Sequence, residues 1–358
     1  MKDDLTDLLR PELLPLKPYR SPAFEYRLKM DLNESPFDLP VTVKAELWSR
    51  VSKLLWQRYH DEFEGPLKVA LATYARWNPE GILLGNGSNE LIFHSLLATV
   101  PDGAVVLYPE PSFSLYHQNA VVVGGRPVGF TLEPGDFSVD PQRVLRLAQE
   151  YKPRAIVLCS PNNPTGNRVP NETIAAIAAG AGCTVIVDEA YSNFAAEDAR
   201  GLLEAHPNLI LLRTFSKAFG LAGLRFGFSL SDPRLALEIG KVQLPHHVNF
   251  FTQLAALTML GHMDLVDKRI AELKRERERL EGLLTALPGV RVFPSQANFI
   301  LIELSGKTPQ AVFEALLARG ILVRNISNYP GLSRCLRLTV GLRADNEALA
   351  ASLREVLA

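Results

Sequence analysis

Cysteine is scarce. The chain of 358 residues carries three, Cys159, Cys183 and Cys335, far apart and without a CxxC pair. That argues against a thiolate zinc site and for a reducing compartment. Each thiol lies in or beside an apolar run, where it serves as a small core side chain. An excess of either charge is also missing: the formal net charge is −1. Nothing therefore favours nucleic acid or an anionic membrane as partner. No apolar run reaches the length of a membrane span; the longest, Ile174 to Val187, is broken by Gly180 and Gly182. The start, Met1-Lys2-Asp3-Asp4-Leu5, has early acids and no apolar core of a secretory signal, so the expected location is the cytoplasm. Internal repeats and low-complexity tracts are absent. The seven histidines show no metal-ligand or triad spacing, and His246-His247 reads as loop filler.

What is present is ample core material: 47% of the residues are hydrophobic, enough for more than one domain. Prolines at 11, 15, 18 and 22 make residues 1–30 an extended arm. Val43, Leu47, Val51 and Leu54 share one face of a helix over 41–57, and a second helix runs from Pro66 to about Trp77. From Gly81 to Gly227 strands alternate with helices. The strands are 82–84, 104–107, 126–130, 155–159, 184–187, 209–212 and 226–230; the helices are 88–99, 112–121, 140–151 and 171–180. Near-continuous Val/Ile/Leu runs between helices predict an α/β fold: a large domain with a mostly parallel seven-stranded sheet covered on both faces. Residues 250–286 read as one long helical stretch, whose charged second half reads as a solvated face with i,i+4 ion pairs. Residues 290–358 alternate strands (290–293, 299–303, 322–324, 336–339) and helices (308–319, 344–357), a smaller α+β unit. The expected division is an arm at 1–30 packing with the small domain, a large domain at 31–248 and a small C-terminal domain at 249–358 entered by a long helix.

The chemistry centres on Thr214-Phe215-Ser216-Lys217-Ala218-Phe219-Gly220 and Gly223-Leu224-Arg225, just past the apolar strand Leu209–Leu212. Ligands bind at strand ends in α/β proteins. A lysine there whose pKa is lowered can form a Schiff base with a carbonyl. The hydroxyls and the arginine around it suit a phosphate. Together they suggest a phosphorylated aldehyde, pyridoxal phosphate (PLP). Gly87, Ser88 and Asn89 stand between a strand and an apolar helix. Ser88 reads as the N-cap, and free N–H groups at a helix start bind phosphate. Arg337, flanked by leucines, is expected to face solvent or to pair with a buried anion.

The set Lys17-Pro18-Tyr19, Asp31-Leu32-Asn33-Glu34-Ser35-Pro36, Arg58-Tyr59, Leu84-Gly85-Asn86-Gly87-Ser88, Asn162-Asn163-Pro164-Thr165-Gly166, Asp188-Glu189-Ala190-Tyr191, Arg213 to Arg225, Pro294 to Phe299 and Cys335 to Gly341 resembles the histidinol-phosphate aminotransferases, PLP enzymes of fold type I. The resemblance spans nearly the whole chain. It implies that Lys217 is the Schiff-base lysine and that Asp188 braces the pyridine nitrogen. Asn163 and Tyr191 would reach the phenolic oxygen, and Phe113 would stack on the ring. Gly87, Ser88, Asn89, Thr214, Ser216 and Arg225 would cradle the phosphate. Tyr59 would reach the phosphate of a neighbouring subunit in a homodimer with shared sites. Tyr19, Asn33, Arg324 and Arg337 would surround the substrate. Two positions depart from the usual pattern: His60 stands where the family has proline, and Ser35 where it has asparagine. The expected reaction is a ping-pong amino transfer between histidinol phosphate and 2-oxoglutarate, in histidine biosynthesis. An aromatic amino-acid aminotransferase, a threonine-phosphate decarboxylase and a non-catalytic PLP-binding regulator are the alternatives.

Overall fold

The computed structural model describes residues 5–18 and 24–358. In chain order they form β1 (Leu28–Met30), α1 (Val41–Val51), α2 (Glu64–Ala75), β2 (Ile82–Gly85), α3 (Ser88–Thr99), β3 (Val105–Glu110), α4 (Leu115–Val122), β4 (Arg126–Thr131), α5 (Pro141–Tyr151), β5 (Ala155–Cys159), α6 (Asn171–Gly180), β6 (Thr184–Asp188), β7 (Leu209–Thr214) and β8 (Gly227–Ser231). The chain continues through α7 (Pro233–Gly240), α8 (Phe250–Leu260), α9 (Met263–Thr285), β9 (Val290–Val292), β10 (Phe299–Leu304), α10 (Pro309–Leu317), β11 (Ile321–Asn325), β12 (Cys335–Thr339) and α11 (Arg343–Leu357).

Seven strands make the large sheet in the order β2-β8-β7-β6-β5-β3-β4. All pairs are parallel except those of β8, which runs antiparallel to β2 and β7. The central strands β5 and β7 are buried along their whole length. That is why their sequences are unbroken apolar runs rather than alternations. Each fully buried Val, Leu or Ile contributes ~1.5–3 kcal/mol. The chain leaves β3 outward to β4, then returns to lay β5 on the other side of β3. The strand order reverses there, and the carboxyl ends of β3 and β5 open a crevice.

The second sheet, β1-β11-β12-β10-β9, is antiparallel except for its edge. Its first strand comes from the supposed arm: Leu28–Met30 pair in parallel with Ile321–Val323. The arm is also not extended throughout, since Leu5–Leu8 and Pro11–Leu13 form 3-10 turns.

Other differences are local. The helix expected over 41–57 stops at Val51, whose carbonyl accepts from the Trp56 indole at 3.1 Å. The stretch 250–286 is two helices, parted at Gly261-His262. The charged face of α9 is only partly solvated. Lys268 and Asp264 form an exposed i,i+4 pair. Arg269, Lys274 and Arg277 instead turn inward and donate to the carbonyls of Asp38, Ala195, and Phe194 with Ala297. Loop carbonyls packed under α9 need donors, and long cationic side chains supply them.

Candidate active site

A cavity of about 460 Å³ lies at the carboxyl ends of the large sheet's strands, closed on its far side by β11 and β12. Lys217 enters it from the turn after β7. Its Nζ donates to the Leu32 carbonyl at 2.8 Å and sits 5.8 Å from the centre of the Tyr191 ring. Burial lowers the Lys217 pKa from 10.5 to about 7, helped by Arg337 and Arg225 and opposed by Glu34. The amine is therefore half unprotonated near neutral pH.

One end of the cavity is built for an anion. The cap of α3 is Gly87 (φ 83°), with Ser88 as the first helical residue, so Ser88 is not the N-cap. Among the described residues no side chain caps the helix start. The N–H groups of its first turn have no acceptor within the helix and point outward with the positive end of its dipole. Gly227 lets β8 lie against this start, since a Cβ there would come within 2.6 Å of the Ser88 nitrogen. Gly87 is held to glycine by its positive φ, and a Cβ would also meet the Arg225 guanidinium at 2.7 Å. Thr214 Oγ1 donates to Ser216 Oγ at 3.0 Å, and Arg225 Nη1 donates to the same Ser216 Oγ at 3.4 Å. Two hydroxyls, a guanidinium and a helix start thus converge from three segments. Asn89 is turned by Asn119, which donates to its Oδ1 at 3.1 Å.

The middle of the cavity is walled by Asp188, Tyr191, Asn163 and Phe113. Asp188 ends β6 and is buried. Its Oδ2 accepts from the Tyr116 hydroxyl at 2.8 Å and its Oδ1 from the Ala190 N–H at 3.1 Å. Burial raises its pKa and the two donors oppose that rise. The Tyr191 hydroxyl accepts from Asn33 Nδ2 at 3.0 Å, and burial pushes its pKa up to about 12. Asn33 (φ 54°) also donates through its N–H to Thr339 Oγ1 at 3.0 Å and accepts from Asn298 Nδ2 at 3.0 Å. This one residue ties the segment after β1 to both sheets.

The other end is cationic. Arg324 and Arg337 are directly opposed across β11 and β12, and both line the cavity. Like charges facing each other across a sheet repel. Arg337 is buried but meets no anion among the described residues, contrary to the expectation from its strand. It donates to Asn163 Oδ1 at 2.5 Å and to the Asp31 carbonyl, and its Nε has no partner. The Asp31 carboxylate is engaged elsewhere, by Lys29 at 3.0 Å. A buried guanidinium with a spare N–H is a site for a carboxylate or phosphate.

The structure thus brings together Gly87, Ser88, Asn89, Phe113, Asn163, Asp188, Tyr191, Thr214, Ser216, Lys217 and Arg225, and adds Asn33, Arg324 and Arg337. Tyr59 stands apart: it is 81% exposed, outside the cavity, and stacks on His246 at 4.4 Å. His246 is therefore not filler; its Nδ1 also pairs with Asp61 at 2.6 Å. Tyr19 lies outside the described residues. Sequence reasoning missed Tyr116, Asn298 and the Leu32 carbonyl. Asn298 sat inside a motif already singled out. Tyr116 gave only a weak signal, one helical turn after Phe113.

These residues fit pyridoxal phosphate. The open helix start and the hydroxyls suit its phosphate, the buried Asp188 its ring nitrogen, Tyr191 and Asn163 its phenolic oxygen, and the Lys217 amine its aldehyde. Fold and site together define a class: α/β enzymes that work through a lysine and a bound vitamin B6 aldehyde. A sequence profile described as aminotransferase class I and II matches residues 28–353. The histidinol-phosphate aminotransferase of Prosthecochloris aestuarii is 37% identical over 358 residues, covering 99% of each chain. That of Caldanaerobacter subterraneus subsp. tengcongensis is 38% identical over 353 residues, again 99% of each. The crystal structure of histidinol-phosphate aminotransferase from Sinorhizobium meliloti in complex with pyridoxal-5'-phosphate is similar with a TM-score of 0.84 at 27% identity, covering 93% of this chain and 91% of that one. The chain belongs to the class I and II aminotransferase family.

Proposed function

We propose that this enzyme moves the amino group of histidinol phosphate to 2-oxoglutarate, giving imidazole acetol phosphate and glutamate. The observation that carries the substrate reading is the opposed pair Arg324 and Arg337, the latter buried and without an anion. A substrate with a dianionic phosphate satisfies both guanidiniums, and a dicarboxylate can follow it into the same place. Bound PLP supplies an electron sink for the charge that develops at the substrate Cα. Asp188 would keep the proton on its ring nitrogen, and Asn163 and Tyr191 would orient its phenolic oxygen. Phe113 would pack against the ring, while the start of α3 with Thr214, Ser216 and Arg225 would hold the phosphate. The Lys217 Nζ, unprotonated in about half the molecules at neutral pH, would take the substrate Cα proton and deliver it two bonds away, to the carbon that carried the cofactor's aldehyde. Asn33 fixes the Tyr191 hydroxyl and closes the site against the segment after β1.

The active form is proposed to be a homodimer. Trp48 on α1 and Leu55, Trp56 and Tyr59 on the α1–α2 connection are all exposed. An apolar surface of that kind is suited to a second copy, whose cavity Tyr59 would then enter. The free state of all three cysteines supports a cytoplasmic location. The test is a panel of amino donors with 2-oxoglutarate, following glutamate. Histidinol phosphate should be the preferred donor. Preference for phenylalanine would shift the reading to aromatic amino acids, and carbon dioxide release without a keto acid would shift it to a decarboxylase.

A further inference from the structure

Asp188, the carboxylate proposed above to face the cofactor's ring nitrogen, is held by a second side chain. Tyr116 comes from α4, is fully buried, and donates its only proton to Asp188 Oδ2 at 2.8 Å. The Ala190 N–H holds Oδ1 at 3.1 Å. Each carboxylate oxygen therefore has one fixed donor from the protein, and lone pairs remain for a ring N–H. We propose that Tyr116 is a positioning residue: its hydroxyl keeps Asp188 ionised and aimed, so that the proton between Asp188 and the cofactor stays on the ring nitrogen. The proposal rests on the functional reading given above and deepens it.

The groups facing Asp188 show why a donor is needed. Cys159 lies beside it on β5, paired in register, and its thiol is pushed up to about 12. Tyr191 stands three residues on and is likewise pushed up to about 12. Both are neutral at working pH and lend no positive charge. Lys217 does favour the carboxylate, but its own amine is half deprotonated near pH 7. Burial meanwhile drives Asp188 toward its protonated form. If Asp188 took the proton, the ring nitrogen would lose its charge and the ring its pull on electrons. Tyr116 is itself held well above its ordinary pKa by burial, so it remains a donor throughout. Its ring packs edge-on against Phe113 at 5.6 Å, a contact that phenylalanine would keep.

The experiment loads wild type and Tyr116→Phe with PLP labelled with ¹⁵N in the ring and reads the nitrogen shift across pH. Wild type should show a protonated nitrogen. Tyr116→Phe should move toward neutral pyridine and lose roughly 10- to 100-fold in kcat, the worth of one hydrogen bond to a charge, with KM for the donor little changed. Identical nitrogen shifts in both proteins would overturn the proposal and leave the functional reading standing. A wild-type protein that takes up no PLP would instead sink that reading. Should Tyr116→Phe fold poorly, 3-fluorotyrosine at position 116 keeps the shape and strengthens the donor. The Asp188 carboxyl, followed by difference infrared spectroscopy on the cofactor-free chain, should then titrate at lower pH than in wild type. An unchanged midpoint would refute the role.

Discussion

Two buried arginines behave in opposite ways. Arg213 on β7 is closed: it donates to Glu189 at 2.9 and 3.0 Å and pairs with Asp198 at 2.7 Å. Its two acids raise its pKa above the ordinary arginine value against the cost of burial. Arg337 on β12 is equally buried, but among the described residues it meets an amide oxygen, a backbone carbonyl and, at 5.4 Å, the Phe299 ring, and no acid; burial lowers its pKa. A buried charge with its partners in place belongs to the fold. A buried charge without them is a charge kept for a ligand. Arg213 lies on the strand carrying Thr214, and Glu189 follows Asp188, so the closed pair underpins the wall that the open one faces.

The comparison breaks most visibly on stability. Arg213→Met leaves Glu189 buried and unpaired and should cost about 3–5 kcal/mol in urea unfolding of the cofactor-free protein. Arg337→Gln should cost far less, because it removes a charge that no anion balances. Equal losses for the two would end the distinction. On activity the order reverses. Arg337→Gln gives up a charge-assisted hydrogen bond to the substrate anion, about 1.5–3 kcal/mol, which should appear as a rise in KM for both substrates. A correctly folded Arg213→Met should retain the wild-type KM.

Proton titration sharpens the contrast further. Arg337 is the strongest charge holding the Lys217 pKa down, after burial itself. Removing it should raise the pH at which the amine becomes reactive from about 7 toward its ordinary value. The rate of PLP uptake against pH reads this directly. The same shift affects stability with a definite sign. Between about 7 and 10.5 the unfolded chain binds one more proton than the folded one at this site. The contribution is therefore full above that window, falls as the pH drops through it, and is level below about 7. The smallest effect is expected far from both arginines: Lys268→Ala, which breaks the exposed pair with Asp264, should change stability by less than ~0.5 kcal/mol.

The sequence made much of this legible. The inner parallel strands β5, β6 and β7 are readable because each is an apolar run bounded by turn residues, and the segments at their ends carry Asn163, Asp188 and Lys217 within short motifs. What was not readable depends on partners remote in the chain. Leu28–Met30 form a strand only because Ile321–Val323 lie beside them. Nothing in the charged run of α9 marks Arg277 as the donor to Phe194 and Ala297. Tyr116 reads as a core aromatic until the fold sets its hydroxyl on Asp188. Arg337 could be singled out as a charge among leucines, but the missing anion shows only when its neighbours are known.

The most direct measurement is borohydride reduction of the PLP-loaded protein, followed by peptide mass spectrometry. The mass of one reduced cofactor on Lys217, and on no other lysine, is the predicted result. Modification of a different lysine, or of none, would contradict the account.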